Sequence, residues 1–99
     1  MTLSIKVYKK LLQDPEGKIT TYGDLAKAVG VANGQRAVGN IMKKNPFPDI
    51  VPCHRVVQSN GEIGGYAYGK KVKLRMLSKE GIKITNGKII DFNKKKFSF

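Results

Sequence analysis

The residues most capable of chemistry in this sequence are Cys53 and His54, the only cysteine and the only histidine among 99 residues. A thiolate is a strong nucleophile, and a neighbouring imidazole is well suited to remove its proton near neutral pH. Free cysteine is also often a buried core residue, so the pair alone does not separate a reactive thiol from a structural one. The pair is therefore a nucleophile candidate whose assignment depends on the surrounding sequence.

A proline-rich segment leads into this pair. Three of the four prolines lie within residues 45–52, at Pro46, Pro48 and Pro52. Each proline fixes its own φ and restricts the residue before it, which leaves the segment few conformations and few free backbone donors. We expect a stiff loop that holds the thiol in one position, as a reactive group requires.

The charge balance is the second strong feature of the chain. Nineteen Lys and Arg residues against seven Asp and Glu residues give a formal net charge of +12. This excess favours a polyanionic partner, and a lysine-rich solubilising surface is the alternative. Binding to a membrane surface is disfavoured, because no segment combines a basic face with a broad apolar one.

Length and cysteine content limit the organisation. Residues 1–99 predict one domain, with no apolar run near the roughly 20 residues that span a bilayer. Lysines interrupt the apolar positions of the first twelve residues, so a signal peptide is not expected. One cysteine excludes an internal disulfide and indicates a reduced thiol in the cytoplasm or nucleus. Cys53 and His54 cannot supply the four ligands of a structural zinc site.

Two helical patterns open the chain. Apolar residues at helical spacing predict an amphipathic helix over Ser4 to Gln13, ended by the turn at residues 14–17. A second helix is expected to begin near Thr21, whose hydroxyl would cap it, and to stop at Gly30.

A third helix follows a short turn and has two different faces. Val38, Ile41 and Met42 lie on the apolar side. The outer side carries Arg36, Gly39, Asn40 and Lys43. Two short helices joined by a tight turn, the second with a small, basic and polar outer face, predict a helix-turn-helix with its recognition helix.

The second half of the chain predicts smaller elements around one further helix. A wing turn is expected at Ser59-Asn60-Gly61, between residues 56–58 and 62–63, followed by a glycine-rich loop over 64–69. A last helix is expected from Lys70 to Glu80, with Val72, Met76 and Leu77 inward and Gly81 as its cap. A hairpin over Ile82 to Phe92, turning at Asn86-Gly87, and a frayed basic segment from Asn93 to Phe99 complete the chain. The fold class is therefore expected to be mainly α with a small β wing.

With these motifs in place, the chain resembles the C-terminal, active-site domain of the O6-alkylguanine-DNA alkyltransferases. The resemblance runs from about Ile19 to Gly81. It is carried by Pro52-Cys53-His54-Arg55-Val56-Val57, Thr21-Tyr22-Gly23, Arg36-Ala37-Val38-Gly39, Asn45-Pro46 and Lys79-Glu80-Gly81. Chance agreement of five separate motifs at the right distances is implausible.

The resemblance implies a winged helix-turn-helix domain that binds double-stranded DNA as a monomer through the minor groove. The protein would flip an O6-alkylated guanine into a pocket, because a base inside the stack is unreachable. The alkyl group would then pass irreversibly to Cys53, with no cofactor and no metal.

The resemblance also implies individual roles. His54 would take the thiol proton through a water molecule, and Glu80 would orient and stabilise the imidazolium. Tyr22 would donate to the leaving base, Asn45 would tie the active-site loop to the turn before it, and Arg36 would fill the space that the flipped base leaves. The implied DNA-binding residues are Thr21, Tyr22, Gln35, Arg36, Ala37, Gly39, Asn40, Lys43 and Arg55, and those of the substrate pocket are Val56, Tyr66, Ala67 and Tyr68.

Two departures from the family pattern leave alternatives open. Most members carry an N-terminal domain that is absent here, and Tyr68 stands where some relatives have glycine, which implies a narrower pocket mouth. The main alternative is a non-enzymatic lesion-recognition or transcriptional module, as in the alkyltransferase-like proteins that replace the cysteine. Cys53 argues against that alternative. A cysteine hydrolase is poorly supported, since no oxyanion motif is readable.

Overall fold

A computed structural model describes residues 2–48 and 50–99; Met1, and Asp49 of the proline-rich segment, lie outside the described residues. The helices are α1 (Leu3–Leu11), α2 (Tyr22–Ala28), α3 (Gln35–Lys43), α4 (Lys70–Lys79) and α5 (Phe92–Lys95). The strands are β1 (Thr20–Thr21), β2 (Val56–Val57), β3 (Ile84–Thr85) and β4 (Lys88–Ile89), and a 3-10 turn at Cys53–Arg55 precedes β2. Across the described ranges, none of the helices has the length and apolar character needed to cross a membrane.

The starts of the helices follow local chemistry. Thr21 caps α2, because its Oγ1 accepts a hydrogen bond from the Asp24 amide at 3.0 Å, which confirms the predicted N-cap. Before α3, a Cβ built on Gly34 would lie 2.7 Å from the carbonyl oxygen of Val31. Only glycine fits that close approach, so Gly34 fixes the tight turn between α2 and α3.

Helices α2 and α3 pack against each other and against α1. Val38 and Met42 are buried, while Arg36, Asn40 and Lys43 are exposed on the opposite side of α3. The two-faced third helix and the helix-turn-helix are therefore confirmed.

Strands β1 and β2 form a parallel pair that the sequence did not predict. Thr20 pairs with Val56 and Thr21 with Val57, and both valines are fully buried. The predicted turn at residues 59–61 is present, because the Gln58 amide donates to the carbonyl of Glu62 at 2.9 Å, but the expectation that residues 56–57 form one arm of the wing is wrong. The pairing joins segments far apart in the sequence, so no local pattern signals it. It fixes the start of α2 beside the turn that carries Cys53.

The wing is built from a different set of residues. Residues 61–63 run antiparallel to β4, with a bridge between Glu62 and Lys88. Strand β3 pairs with β4 through a turn in which Asn86 has φ 52° and Gly87 has φ 77°. Positive φ at both central residues is the geometry that an Asn-Gly hairpin requires, so the predicted hairpin is confirmed.

The C-terminal segment is a correction to the predicted frayed end. Residues 92–95 form α5, so α4 is not the last helix. The Ile19 amide donates to the carbonyl of Lys95 at 2.8 Å, and the Phe97 amide donates to the carbonyl of Ile19 at 2.8 Å. Lys96 also pairs with Asp24 at 2.9 Å. These contacts bind the end of the chain to the edge of β1.

Two apolar clusters form the core. The first joins α1, α2 and α3 and includes Cys53, whereas the second lies under the wing and α4 and includes Leu77 and Ile89. The architecture is mainly helical with two small sheets. This confirms the predicted winged helix-turn-helix.

Candidate active site

The turn that carries Cys53 is anchored by hydrogen bonds within the proline-rich loop that precedes it. The Cys53 amide donates to the carbonyl of Val51 at 2.8 Å, and the same carbonyl accepts from Nδ2 of Asn45 at 3.2 Å. Oδ1 of Asn45 accepts from the amide of Phe47 at 2.9 Å. Asn45 is buried and bridges two parts of the proline-rich loop, so it acts on the site through the backbone.

Cys53 is only 4% exposed, yet it lines a cavity of about 800 Å³. The other lining residues are Tyr22, Gln35, Arg36, Gly39, Met42, Lys43, Gly65, Tyr66 and Ala67. Two aromatic side chains thus share a cavity with the thiol, and α3 contributes cationic and small side chains. The cavity is within the roughly 300–1,000 Å³ usual for sites that enclose a small organic group.

Tyr22 is a hydrogen-bond donor within this cavity. Burial, followed by the negative charge that Cys53 has as a thiolate, raises the pKa of Tyr22 above its ordinary value of 10.0. The hydroxyl therefore stays protonated at neutral pH and keeps its proton available for a bond to a ligand.

His54 does not line this cavity and pairs with Glu80. Nε2 of His54 lies 2.7 Å from Oε2 of Glu80, which places the ring proton on Nε2. Nδ1 is buried and has no hydrogen-bond partner among residues 2–48 and 50–99. Burial lowers the pKa of His54 below its ordinary value, although the bond to Glu80 opposes that change. The imidazole is therefore neutral near pH 7, with a free lone pair on Nδ1.

Arg55 lies beside Glu80, although the sequence assigned it to the DNA surface. Its Nε and Nη2 donate to the two carboxylate oxygens of Glu80 at 2.8 Å each, and its Nη1 donates to the carbonyl of Asp14 at 2.7 Å. Burial raises the pKa of Glu80, but the hydrogen bonds from Arg55 and His54 outweigh it and hold the pKa below its ordinary value. Glu80 is therefore an anion held by donors on His54 and Arg55, and Arg55 is a structural partner of the His54–Glu80 pair.

The structure separates the remaining predicted residues into three groups. Gln35, Ala37 and Asn40 are exposed on α3, and of these only Gln35 lines the cavity. Thr21 and Val56 are buried in the β1–β2 pair, so their side chains contact neither the cavity nor solvent. Tyr68 is 55% exposed and does not line the cavity; it packs edge-on against Tyr66, with ring centroids 5.5 Å apart.

Two residues that sequence reasoning missed lie next to the site. Lys73 is fully buried, and its Nζ donates to the carbonyls of Val56 at 2.7 Å and Gly65 at 3.1 Å. Burial lowers the pKa of Lys73 to about 8, while the negative charge that Cys53 has as a thiolate acts in the opposite direction. Lys73 precedes the inward Leu77 by one helical turn, and that spacing was the available signal.

Asp14 is the second missed residue. It is 1% exposed, and neither carboxylate oxygen has a hydrogen-bond partner within residues 2–48 and 50–99. Burial raises the pKa of Asp14 to about 7; the charge of Arg55 opposes this rise, and that of Glu80 adds to it. Nothing in the sequence marks this aspartate, because it stands in a turn where exposed acids are common.

Fold and site together define a winged helix-turn-helix domain with a buried cysteine beside a cavity that the third helix borders. The family described as 6-O-methylguanine DNA methyltransferase, DNA binding domain, matches residues 2–82. The chain belongs to this family.

Individual relatives agree with that assignment. A methylated-DNA--protein-cysteine methyltransferase of Saccharolobus islandicus is 45% identical over 80 residues, which are 81% of this chain and 51% of the relative. A bifunctional methyltransferase/endonuclease of Picrophilus torridus is 45% identical over 83 residues, 84% of this chain and 28% of the relative. The chain thus spans about half, or less, of the length of these curated relatives.

A solved structure matches the whole chain. The S. pombe protein Atl1, in complex with damaged DNA containing O6-carboxymethylguanine, is similar with a TM-score of 0.86 and 30% sequence identity. The match covers 99% of both chains. Residues 83–99, beyond the family match, are therefore included in this structural similarity.

Proposed function

We propose that this protein repairs O6-alkylated guanine in double-stranded DNA by transferring the alkyl group irreversibly to Cys53. The observation that carries the proposal is the shared cavity: the buried thiol, two tyrosines and the outer face of α3 line the same space. A neutral imidazole with an unpaired Nδ1 follows the thiol directly in the chain.

DNA would approach along the outer face of α3. A Cβ built on Gly39 meets no atom within 4 Å, so this part of the helix offers open space to a DNA groove. Arg36 and Lys43 border the same cavity and supply positive charge for phosphates. Arg36 stands at the start of α3, where it would fill the space left by an extruded base, since extrusion costs a few kcal/mol.

The flipped guanine would enter the cavity between Tyr22 and Tyr66. Stacking on aromatic side chains stabilises an extruded base, and the hydroxyl of Tyr22 donates a hydrogen bond to it. That bond strengthens as negative charge develops on the leaving guanine, so it lowers the barrier rather than only improving binding.

The transfer is a displacement at the alkyl carbon. The Cys53 thiol gives its proton to Nδ1 of His54 through one water molecule, and Glu80 stabilises the resulting imidazolium. The thiolate forms the new S–C bond, the C–O6 bond breaks, and its electron pair leaves with the guanine. No group in the site regenerates the thiol, so each molecule acts once.

A second candidate is lesion binding without transfer. The similarity to Atl1 over 99% of both chains favours it, because a protein of this length has been solved on damaged DNA. The two candidates make the same contacts with DNA and differ only in whether the sulfur of Cys53 becomes alkylated.

Intact-mass spectrometry separates the two candidates. The protein is mixed with a duplex that contains one O6-methylguanine, and with the same duplex without the methyl group as the control. Repair predicts a gain of one methyl group, about 14 Da, on the peptide that bears Cys53. Binding of the damaged duplex with no mass gain would replace the repair proposal by the lesion-binding one.

A further inference from the structure

A second groove lies away from the cavity of Cys53. It has a volume of about 630 Å³ and is lined by residues of α1, α2 and the C-terminal segment: Lys10, Asp24, Lys27, Ala28, Asn93, Lys96, Phe97, Ser98 and Phe99. The two lining sets share no residue. Residues 93–99 lie outside the family match, so the proposed repair reaction does not account for this groove.

The groove carries an excess of positive charge. The one acidic side chain in its lining, that of Asp24, is paired with Lys96 at 2.9 Å. Lys10 and Lys27 carry no ion pair among residues 2–48 and 50–99. An adjoining groove shares Lys10 and Ala28 and adds two further lysines, Lys6 and Lys9. The two grooves together form a continuous cationic track.

Aromatic side chains accompany this charge. Phe97 and Phe99 both line the groove, with their ring centroids 5.2 Å apart and their planes at 87°. Phe99 remains 39% exposed. The segment is held in place, because the backbone of residues 95–97 is hydrogen-bonded to both sides of Ile19. The groove therefore combines two aromatic rings, one of them on the anchored Phe97, with lysines that carry no ion pair among the described residues.

We propose that this groove is a second nucleic-acid site that binds an unpaired DNA strand. A cationic track with aromatic side chains is the combination that holds single strands, because phosphates pair with lysines while exposed bases stack on rings. A duplex does not fit this chemistry, since its base faces are hidden inside the stack. The site would let the protein hold a single-stranded stretch without occupying the face of α3.

Fluorescence anisotropy with a labelled oligodeoxythymidine of about 12 nucleotides tests the proposal at low salt. The variant Lys10→Gln/Lys27→Gln is expected to bind at least tenfold more weakly. The slope of log affinity against log salt concentration should become shallower by about 1.4, since each phosphate contact of a single strand contributes about 0.7. Phe99→Ala should weaken binding by about fivefold or more through lost stacking.

Matched variants provide the controls. Lys71→Gln/Lys79→Gln removes two exposed lysines of α4 that line neither groove, and it should leave affinity for the strand within twofold. Arg36→Glu should weaken duplex binding and leave single-strand binding intact. Circular dichroism confirms that each variant is folded.

Two results would overturn the proposal. One is an equal loss of single-strand affinity in the α4 variant, which would show that only net charge matters. The other is loss of single-strand binding in Arg36→Glu together with normal binding in Lys10→Gln/Lys27→Gln, which would assign the strand to α3. Methyl transfer by the Lys10→Gln/Lys27→Gln variant is measured separately, so failure of this site and failure of the repair proposal are distinguishable.

Discussion

The cavity of Cys53 and a separate groove beside His54 meet at the turn Cys53–Arg55, so consecutive residues of that turn line different sites. Cys53 lines the cavity of about 800 Å³ with Tyr22 and Tyr66, whereas His54 and Glu80 line a smaller groove of about 320 Å³ with Leu12 and Ile50. The two linings share no residue. The sulfur proposed to attack and the pair proposed to accept its proton therefore line separate surfaces, and each can be altered while the other is kept.

The largest effect is expected at the sulfur itself. Cys53→Ala should abolish transfer completely and leave affinity for the damaged duplex within a few fold, because binding depends on the cationic face of α3. Single-turnover assays and equilibrium titrations on the same preparation measure the two quantities. Residual alkylation of the purified variant would show that another nucleophile reacts.

On the proton side, Glu80→Gln should slow transfer by about 10²- to 10⁴-fold, because a neutral amide cannot stabilise the imidazolium. Burial already lowers the pKa of His54, so the wild-type rate should fall only when the pH drops below the ordinary histidine range. The variant loses the anion that favours the protonated form of His54. The low-pH side of its profile of transfer rate against pH should therefore move to lower pH.

The exposed Glu62→Gln is the matched control for charge removal, and it should leave the pH profile unchanged. Thermal unfolding of both variants is measured alongside, because Arg55 also loses its partner in Glu80→Gln. A low-pH side of the rate profile that does not move in Glu80→Gln would separate Glu80 from the proton transfer.

A smaller effect, on stability, is expected from Asp14→Leu. The unpaired carboxyl has a native pKa of about 7 against an ordinary 3.8, so between these values the native state binds more protons than the unfolded state. The contribution of Asp14 to wild-type stability should therefore fall as the pH rises from about 4 to 7. At pH 8 the variant should be about 1–3 kcal/mol more stable, since a buried unsatisfied group is removed.

Thermal unfolding of wild type and Asp14→Leu across this pH range provides the test. Each kcal/mol should shift the melting temperature by roughly 4–8 °C in a domain of this size. A gap between the two proteins that stays constant from pH 4 to pH 8 would mean that the carboxyl is not buried without partners.

The smallest effect on stability is expected on the cavity side, at Gly39. The Cβ of a larger side chain would meet no protein atom within 4 Å there, and replacing glycine in a helix gains up to about 1 kcal/mol, so Gly39→Leu should be as stable as wild type or slightly more stable. Its DNA affinity should nevertheless fall by about tenfold or more, because the side chain occupies the space that DNA would fill. Unchanged affinity would move the DNA away from this face.

Local patterns in the sequence determined the helix-turn-helix and the Asn86-Gly87 hairpin. Each depends on residues close together in the chain: a threonine cap, a 3.6-residue apolar period, or a turn that needs positive φ. The His54–Glu80 pair was predicted in a different way. The resemblance to a known family implied it, and no local pattern near Glu80 indicates it.

Tertiary structure alone decided the rest, because the decisive contacts join segments distant in the sequence. The β1–β2 pair, the binding of residues 95–97 to Ile19 and the reach of Arg55 to Glu80 have no local signature. Burial is also a tertiary property. It raises the pKa of Asp14 to about 7 and lowers that of Lys73 to about 8, although both residues would be read from the sequence as ordinary surface charges.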